Sequence, residues 1–223
     1  MVEDTERSRS LWFALLLTLA NGFLDAHTYI SRGGVFANVQ TANVIFGAID
    51  TSKREWAMAL AHLWPLLAFI AGVGLASHIK SGRAERFVAR PLVLTMAVQA
   101  VALAVIGFVP AAVPHSYVTV PISFLAAMQI GLFRNIGELA YLPVATTGNL
   151  MRFVEAGYAG FVDRHAESRR AFRVYGTLIL TFATGALGGA YASRALGVHA
   201  IWLPAGFLAV TLCLFIIDER HLR

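Results

Sequence analysis

The sequence predicts an all-α membrane protein with six transmembrane helices, arranged as two inverted three-helix repeats. Three observations support this prediction: the apolar composition, the length of the apolar runs, and polar motifs that recur in the same order in both halves. Of the 223 residues, 57% are hydrophobic and 14% are charged, against about 25% charged in an average soluble domain. A soluble core of this length cannot bury so many apolar side chains, so the composition favours a lipid environment.

Six stretches are long enough to cross a bilayer, which takes about 20 helical residues. Residues 56–79, 91–109, 174–193 and 200–217 contain no Asp, Glu, Lys or Arg, whereas 11–30 and 118–142 include charged residues. The single cysteine, Cys213, lies within an apolar run. We therefore expect no disulfide framework, no metal site and no cofactor, and we treat 1–223 as a single integral membrane domain.

The basic residues are distributed unevenly between the two sides of the predicted membrane. With the N-terminus inside, most of the 18 Lys and Arg fall in inner segments: Arg7, Arg9, Lys80, Arg83, Arg86, Arg90, Arg152, Arg164, Arg169, Arg170, Arg173, Arg220 and Arg223. This positive-inside pattern predicts that both termini are cytoplasmic. It also accounts for the pI of about 9.8 without a nucleic-acid partner. A signal peptide over residues 7–20 is the competing interpretation.

Two polar motifs appear once in each half of the chain. Residues 22–25, Gly-Phe-Leu-Asp, correspond to 131–134, Gly-Leu-Phe-Arg, and Thr41-Ala42-Asn43 corresponds to Thr147-Gly148-Asn149. A Gly-rich span and a final apolar span follow in both halves, giving repeats over 11–109 and 118–217. Because three spans is an odd number, the second repeat must enter the membrane upside down. Chance similarity between apolar segments remains the alternative.

The segments that carry the two Thr-x-Asn motifs are polar but short. Residues 35–49 and 142–150 are marginal for a full crossing, and Pro143 favours a helix break in the second copy. We expect broken or re-entrant segments after the first and fourth spans, although continuity with neighbouring spans stays open. Non-helical backbone at that depth requires surrounding protein or a watery cavity. The alternative is that both motifs are ordinary helix N-caps.

These motifs supply the candidate site. Inverted repeats place the substrate near the midplane between the halves, so the polar side chains there form the predicted substrate site: Asn38, Gln40, Thr41, Asn43, Gln129, Thr147 and Asn149. Ionisable residues within spans are functional candidates by default. The predicted charge or proton-coupling set is Asp25, His27, Arg134 and Glu138. Snorkelling to the interface is the alternative, particularly for His27, and for His62 and His78 core packing is the interpretation.

Common enzyme signatures are absent from the sequence. The sequence contains no Gly-x-Ser-x-Gly elbow, His-Glu-x-x-His motif or phosphate-binding loop. Ser123 in the fourth span has no neighbouring base in sequence, and an intramembrane hydrolase is the least favoured alternative. We expect that the protein is not an enzyme.

One family resemblance follows from the motifs. The order Gly22-x-x-Asp25-Ala26, Val35-Phe36-x-x-x-Gln40-Thr41-x-Asn43, with Ala127-Met128-Gln129 further on, resembles the YoaK family. That resemblance implies a bacterial inner-membrane protein with six spans and no assigned reaction. The family typically has Gly where this chain has Ala42, and Asn where it has Ile130, so a shared substrate is not implied.

The function predicted from these features is a small-molecule transporter or channel-like permease of the bacterial inner membrane. Its partners would be the lipid bilayer and a small polar metabolite or ion. Gly-rich second and fifth spans offer close-packing faces for a homodimer. The alternative is a membrane scaffold or sensor whose polar groups only lock helices together.

Overall fold

The structure is a computed structural model that describes residues 11–81, 90–132, 135–136, 139–140 and 146–221. In this part of the chain the fold is helical, apart from one pair of two-residue strands. The helices are α1 (Leu11–Ser31), α2 (Gln40–Ser52), α3 (Trp56–Lys80), α4 (Pro91–Ile106), α5 (Ser116–Leu132), α6 (Thr146–Phe161), α7 (Ala166–Leu196), a 3₁₀ turn (Gly197–Ile201) and α8 (Trp202–His221).

Two of the predicted spans differ from the observed helices. The fourth was predicted over 118–142, but α5 ends at Leu132, and β1 (Asn135–Ile136) then pairs antiparallel with β2 (Leu139–Ala140). Asn is a weak helix former that favours turns, which fits a chain reversal after α5. The fifth was predicted over 174–193, whereas α7 has 31 residues and includes part of the basic segment predicted to be a loop.

Two apolar helical stretches have most of their residues outside the buried core. Within the described residues, Trp56–Lys80 and Ala166–Leu214 are long and apolar enough to cross a membrane, and each contains an 18-residue segment with a mean hydropathy of 1.8. Only 17% and 33% of these two segments are buried, and shorter apolar helices cover Val93–Ile106 and Ser116–Leu132. The core helix of a soluble protein would be mostly buried, so this exposed apolar surface fits a protein embedded in lipid. Six spans are not established by length and hydropathy alone.

A sharp change of direction separates α1 from α2. Gly33 and Gly34 follow the end of α1 with φ values of 73° and 78°, a left-handed conformation that glycine adopts without strain. The amide of Gly34 donates to the carbonyl of Tyr29 at 3.0 Å and ends the helix. Residues 35–39 then run without helix to α2, which has 13 residues. At about 1.5 Å per residue α2 is too short to cross a bilayer, as predicted for a half-helix.

Helix packing follows the same scheme in both halves. In the first, α1 packs against α7 and α2 against α3. In the second, α5 packs against α3 and α6 against α7. Helices α4 and α8 pack against each other, and each also contacts the first helix of the other half, α5 and α1 respectively. The apolar core joins α1, α4, α5 and α8 through residues that include Leu17, Met96, Leu103, Ile122 and Leu208.

Glycines set the closest helix crossings. A Cβ on Gly185 would overlap the carbonyl oxygen of Leu19, and one on Gly189 would meet the backbone of Phe23, so α1 and α7 touch backbone to backbone. In the other half, a Cβ on Gly72 of α3 would meet the carbonyl of Phe124 on α5. These glycines therefore form close contacts within the chain, which is the common role of small residues in membrane helices.

Candidate functional site

One face of α1 carries three buried polar side chains at helical spacing. Asn21, Asp25 and Thr28 are 1%, 3% and 0% exposed, and the spacing i, i+4, i+7 places them on one side of the helix. Asn21 donates to the carbonyl of Leu17 at 2.8 Å, one turn earlier. The face opposite the α7 crossing is thus a polar ridge inside an apolar fold.

The segment between α1 and α2 folds back onto this ridge. The backbone amide of Asn38 donates to Oδ1 of Asp25 at 2.9 Å, and its side-chain amide donates to Oδ1 of Asn21 at 3.2 Å. The amide of Ala37 donates to the hydroxyl of Thr28 at 3.2 Å. Because a non-helical segment leaves its amides without helix partners, the side chains of α1 replace the missing backbone acceptors.

Helix α5 completes the group from the other half of the chain. Oε1 of Gln129 accepts a hydrogen bond from Nδ2 of Asn21 at 3.2 Å, and Gln129 is fully buried. Asn21 and Gln129 lie on the first helices of the two predicted repeats. We call Asn21, Asp25, Thr28, Asn38 and Gln129 the Asp25 cluster.

The Asp25 cluster has unused hydrogen-bonding capacity. Within the described part of the chain, Oδ2 of Asp25, Oδ1 of Asn38 and Nε2 of Gln129 are buried and have no hydrogen-bond partner. Buried polar atoms without a partner are rare and costly. Two acceptors and one donor of the cluster are therefore unsatisfied by the described residues.

A second group of polar side chains links α5 to α2 and α3, and we call it the Asn43 chain. Ser123 donates to the carbonyl of Pro65 at 2.7 Å and accepts from Nε2 of Gln40 at 3.0 Å. Oε1 of Gln40 in turn accepts from Nδ2 of Asn43 at 3.1 Å. Asn43 also makes two bonds with the backbone of Phe36, at 2.7 and 3.1 Å. Both polar atoms of the Asn43 side chain therefore have hydrogen-bond partners, unlike several atoms of the Asp25 cluster.

The Asn43 chain ends at an ionisable pair. Nδ1 of His62 lies 3.2 Å from Oδ1 of Asn43, and its Nε2 lies 3.4 Å from Oδ2 of Asp50 on α2. Asn43 and His62 contribute to the wall of a cavity of about 410 Å³ between α2 and α3, which is otherwise lined largely by apolar groups such as Val44, Leu60 and Leu63.

His27 and Arg32 are buried on the other side of the α1 terminus. Nδ1 of His27 lies 2.9 Å from the hydroxyl of Ser193 on α7, so His27 is a helix contact and does not reach water by snorkelling. The Arg32 guanidinium donates to the carbonyls of Val109 and Pro110 at 2.7 and 3.0 Å. Burial lowers the pKa of Arg32, and its bonds fasten the end of α1 to the end of α4.

The predicted site residues are therefore only partly assembled. Asn38, Gln40, Asn43, Gln129 and Asp25 meet around the segment 35–39. Thr41 and Thr147 are exposed on α2 and α6, which conflicts with a role inside a buried site, because each points away from the face of its helix that holds the neighbouring asparagine. Asn149 is buried on α6, which packs against α7. Arg134, Glu138 and Pro143 lie outside the described residues.

The predicted site did not include several members of the two groups: Asn21, Thr28, Ser123, Asp50 and His62. Asn21 could have been found, since it lies one turn before Asp25 on an otherwise apolar helix. Ser123 was weighed only as a nucleophile and His62 only as a core residue. No local signal identifies either, because their partners are 83 and 19 positions away in sequence.

The fold and this site define a class: an apolar, helical protein whose polar residues are gathered inside, as expected for an integral membrane protein. Within that class, the chain belongs to the DUF1275 family, described as a protein of unknown function, whose family model matches residues 13–214. No curated protein and no solved structure matches the chain. The resemblance to YoaK proteins is compatible with this membership.

Proposed function

We propose that the protein is a small-molecule transporter or channel-like permease of the bacterial inner membrane, with the Asp25 cluster as its cargo site. The observation that carries the proposal is the set of three buried, unpartnered atoms on Asp25, Asn38 and Gln129. A purely structural polar cluster gains nothing from leaving such atoms unbonded. A site that exchanges a guest needs them.

Support for two inverted repeats comes from the packing scheme. If α1, α2, α3 and α4 are exchanged with α5, α6, α7 and α8, each extensive helix pair maps onto another: α1 with α7 becomes α5 with α3, and α2 with α3 becomes α6 with α7. In this arrangement α2 and α6 are half-helices and the other helices are the six spans. The bond between Asn21 and Gln129 then lies where the two repeats meet, the usual place for cargo.

The free atoms indicate the chemistry of the cargo. Asp25 and Asn38 offer acceptors, and Gln129 offers a donor. A small polar solute that both donates and accepts hydrogen bonds would satisfy all three, whereas a bare cation would satisfy only the two oxygens. We expect a small polar metabolite or ion and no nucleic acid.

The orientation can be tested with single cysteines. In a Cys213→Ser background, Lys53→Cys and His165→Cys place thiols at exposed positions that the proposal assigns to the outer and inner sides. An impermeant maleimide added to intact cells should label the cysteine at 53 and reach that at 165 only after lysis. Labelling of both from one side would contradict an odd number of crossings between them.

Transport itself is tested in proteoliposomes. Thermal-shift screening of the purified protein against metabolite pools should first identify a solute that raises its apparent stability. Flux of that solute should then require the protein and fall strongly in Gln129→Leu. The control is Thr41→Ala, an exposed position near the site. A ligand that binds without any flux would instead make the protein a sensor.

A membrane scaffold is the second candidate, and the Asn43 chain favours it. Ser123, Gln40 and Asn43 are fully bonded to each other and to backbone, as expected of groups that only hold helices together. A scaffold predicts no solute-dependent stabilisation, and lower stability when Gln129 is replaced by an apolar side chain, because the bond from Asn21 that joins α1 to α5 is lost.

A further inference from the structure

Asp50 and His62 form an ionisable pair outside the Asp25 cluster, with His62 buried and Asp50 partly buried. Their side chains are 13% and 4% exposed, and Nε2 of His62 lies 3.4 Å from Oδ2 of Asp50. The pair joins α2 to α3 beside the open groove between these two helices, which is the cavity described above. Whether the two side chains attract or repel each other depends on which ring nitrogen of His62 carries hydrogen.

The orientation of the Asn43 amide decides the tautomer. Its Oδ1 accepts from the backbone amide of Phe36, and its Nδ2 donates to the carbonyl of the same residue. Turning the amide over would point a donor at a donor and an acceptor at an acceptor, so this orientation is fixed. Oδ1 therefore faces His62, and Nδ1 of His62 must be the donor across the 3.2 Å contact.

Fixing hydrogen on Nδ1 leaves Nε2 of a neutral His62 as an acceptor. It faces Oδ2 of Asp50, which is also an acceptor when the carboxyl is ionised. Two acceptors at this distance repel each other unless a proton lies between them. That proton either makes His62 an imidazolium beside a carboxylate, or makes Asp50 a neutral acid that donates to Nε2. Both forms contain one more proton than the repelling form.

We propose that the Asp50–His62 pair is a proton-binding site that holds α2 against α3. Release of its proton leaves a carboxylate facing an imidazole lone pair, breaks the link between the helices, and widens the cavity. The proposal rests on the Asn43–His62 contact and the His62–Asp50 distance, and not on transport. A permease would gain from it a proton-sensitive half-helix next to its cargo site.

Other charged groups near the pair can modulate this proton. Nζ of Lys53 lies 4.0 Å from Oδ1 of Asp50 and is largely exposed, and Arg54 and Glu55 form the turn into α3. The ring of Phe46 lies 5.7 Å from His62. Helix α5, on the other side of α3, carries one titratable side chain in its range, Tyr117, which lies beside Trp64. Lys53 is therefore a charged group within ion-pair distance of the carboxylate.

The first test reads the protonation of His62 directly. Full-length protein with ¹⁵N-labelled histidine, in lipid nanodiscs, is measured across pH 5–9, and His62 is assigned by the signals missing in His62→Gln. We expect Nδ1 to stay protonated throughout while Nε2 or its bonding changes in a single transition. A His62 with hydrogen on Nε2 alone, or one that does not change over this range, would overturn the proposal.

The second test separates the bridge from the proton. In Asp50→Asn the side-chain amide can donate to Nε2 but carries no titratable proton, so the link persists, no proton is shared between the two side chains, and the transition of His62 changes. In Asp50→Ala the link is absent at every pH. If Asp50→Ala fails to fold, Asp50→Asn still decides the matter, because an unaltered His62 transition in that variant contradicts a shared proton.

Cavity opening is read from a thiol placed in its wall. Ala59 lines the cavity, and Ala59→Cys is made in the Cys213→Ser background with Asp50 kept or replaced by Asn. Above the transition, the alkylation rate at position 59 should exceed that of the D50N protein at the same pH by about tenfold, the effect of one lost charged hydrogen bond. Equal pH dependence in both backgrounds would exclude opening.

Discussion

The two faces of α1 are built by opposite rules. Toward α7 the helix is in backbone contact through glycines, with Leu19 and Phe23 against Gly185 and Gly189. Toward α2 and α5 it presents Asn21 and a carboxylate, and buried polar atoms there are left without partners. The first face leaves no space for a Cβ at these crossings, so it is suited to fixing a helix pair. The second keeps three buried polar atoms, on Asp25, Asn38 and Gln129, that the described residues do not satisfy.

The α7 face should be the more sensitive to added volume. Gly185→Ala would drive a Cβ into the backbone carbonyl of Leu19, and we expect it to lower the free energy of unfolding by about 2–3 kcal/mol because a backbone atom cannot move aside. The matched control is Gly188→Ala on the same helix, where a Cβ meets open space. It should be neutral or stabilise by up to about 1 kcal/mol. Unfolding in mixed micelles with increasing SDS measures both.

A similar loss from both variants would mean that α7 tolerates no added methyl anywhere. The distinction between a close crossing and an open helix face would then be wrong.

The Asn43 chain should be the next most sensitive, because it fixes the segment that covers the polar face. Asn43→Ala leaves the backbone groups of Phe36 unbonded, and we expect a loss of about 1–2 kcal/mol in the same assay. Thr41→Ala, two residues earlier but exposed, should change stability by less than about 0.5 kcal/mol. Equal effects would show that the asparagine bonds contribute nothing beyond ordinary helix packing.

Asp25→Asn should have the smallest effect on stability and a clear effect on function. Its remaining oxygen can still accept from the amide of Asn38, so we expect a change below about 1 kcal/mol. Once a cargo is identified, the variant should bind or carry it less well and with altered pH dependence, because the free carboxylate oxygen is replaced by an amide. Flux and pH dependence equal to those of the unmodified protein would remove Asp25 from the site.

Asp25→Ala is the matching variant for the bond itself. It removes the acceptor of Asn38 as well as the free oxygen. Its loss of stability should therefore exceed that of Asp25→Asn. If the two variants were equally stable, the bond from Asn38 would not hold the linker in place.

Much of the fold was predictable because it depends on local or compositional physics. Apolar runs with little charge gave helices near the expected positions, and Gly33 and Gly34 gave the break after α1. The length of α2 agrees with a half-helix. The end of α5 was placed ten residues too late, since the apolar pattern continues past Leu132 and does not reveal that the chain reverses into a strand pair.

The candidate site was predictable in kind but not in membership. Asn38, Gln40, Asn43 and Gln129 could be selected because uncharged polar residues within apolar segments seek partners. Which partners they find depends on the fold: Gln129 meets Asn21 across 108 positions. Thr41 was included because it shares a motif with Asn43, yet residues two apart on a helix face different directions.

The sequence by itself determined that this chain is helical and apolar, that its halves follow one order of features, and that Asp25 lies in an apolar environment. These are consequences of side-chain hydrophobicity and periodicity, which act over a few turns. Only the tertiary structure decided that Asp25 keeps a free oxygen while Asn43 keeps none, and that Asp50 faces His62. Hydrogen bonds are directional and short, so the choice of partner exists only once the helices are packed.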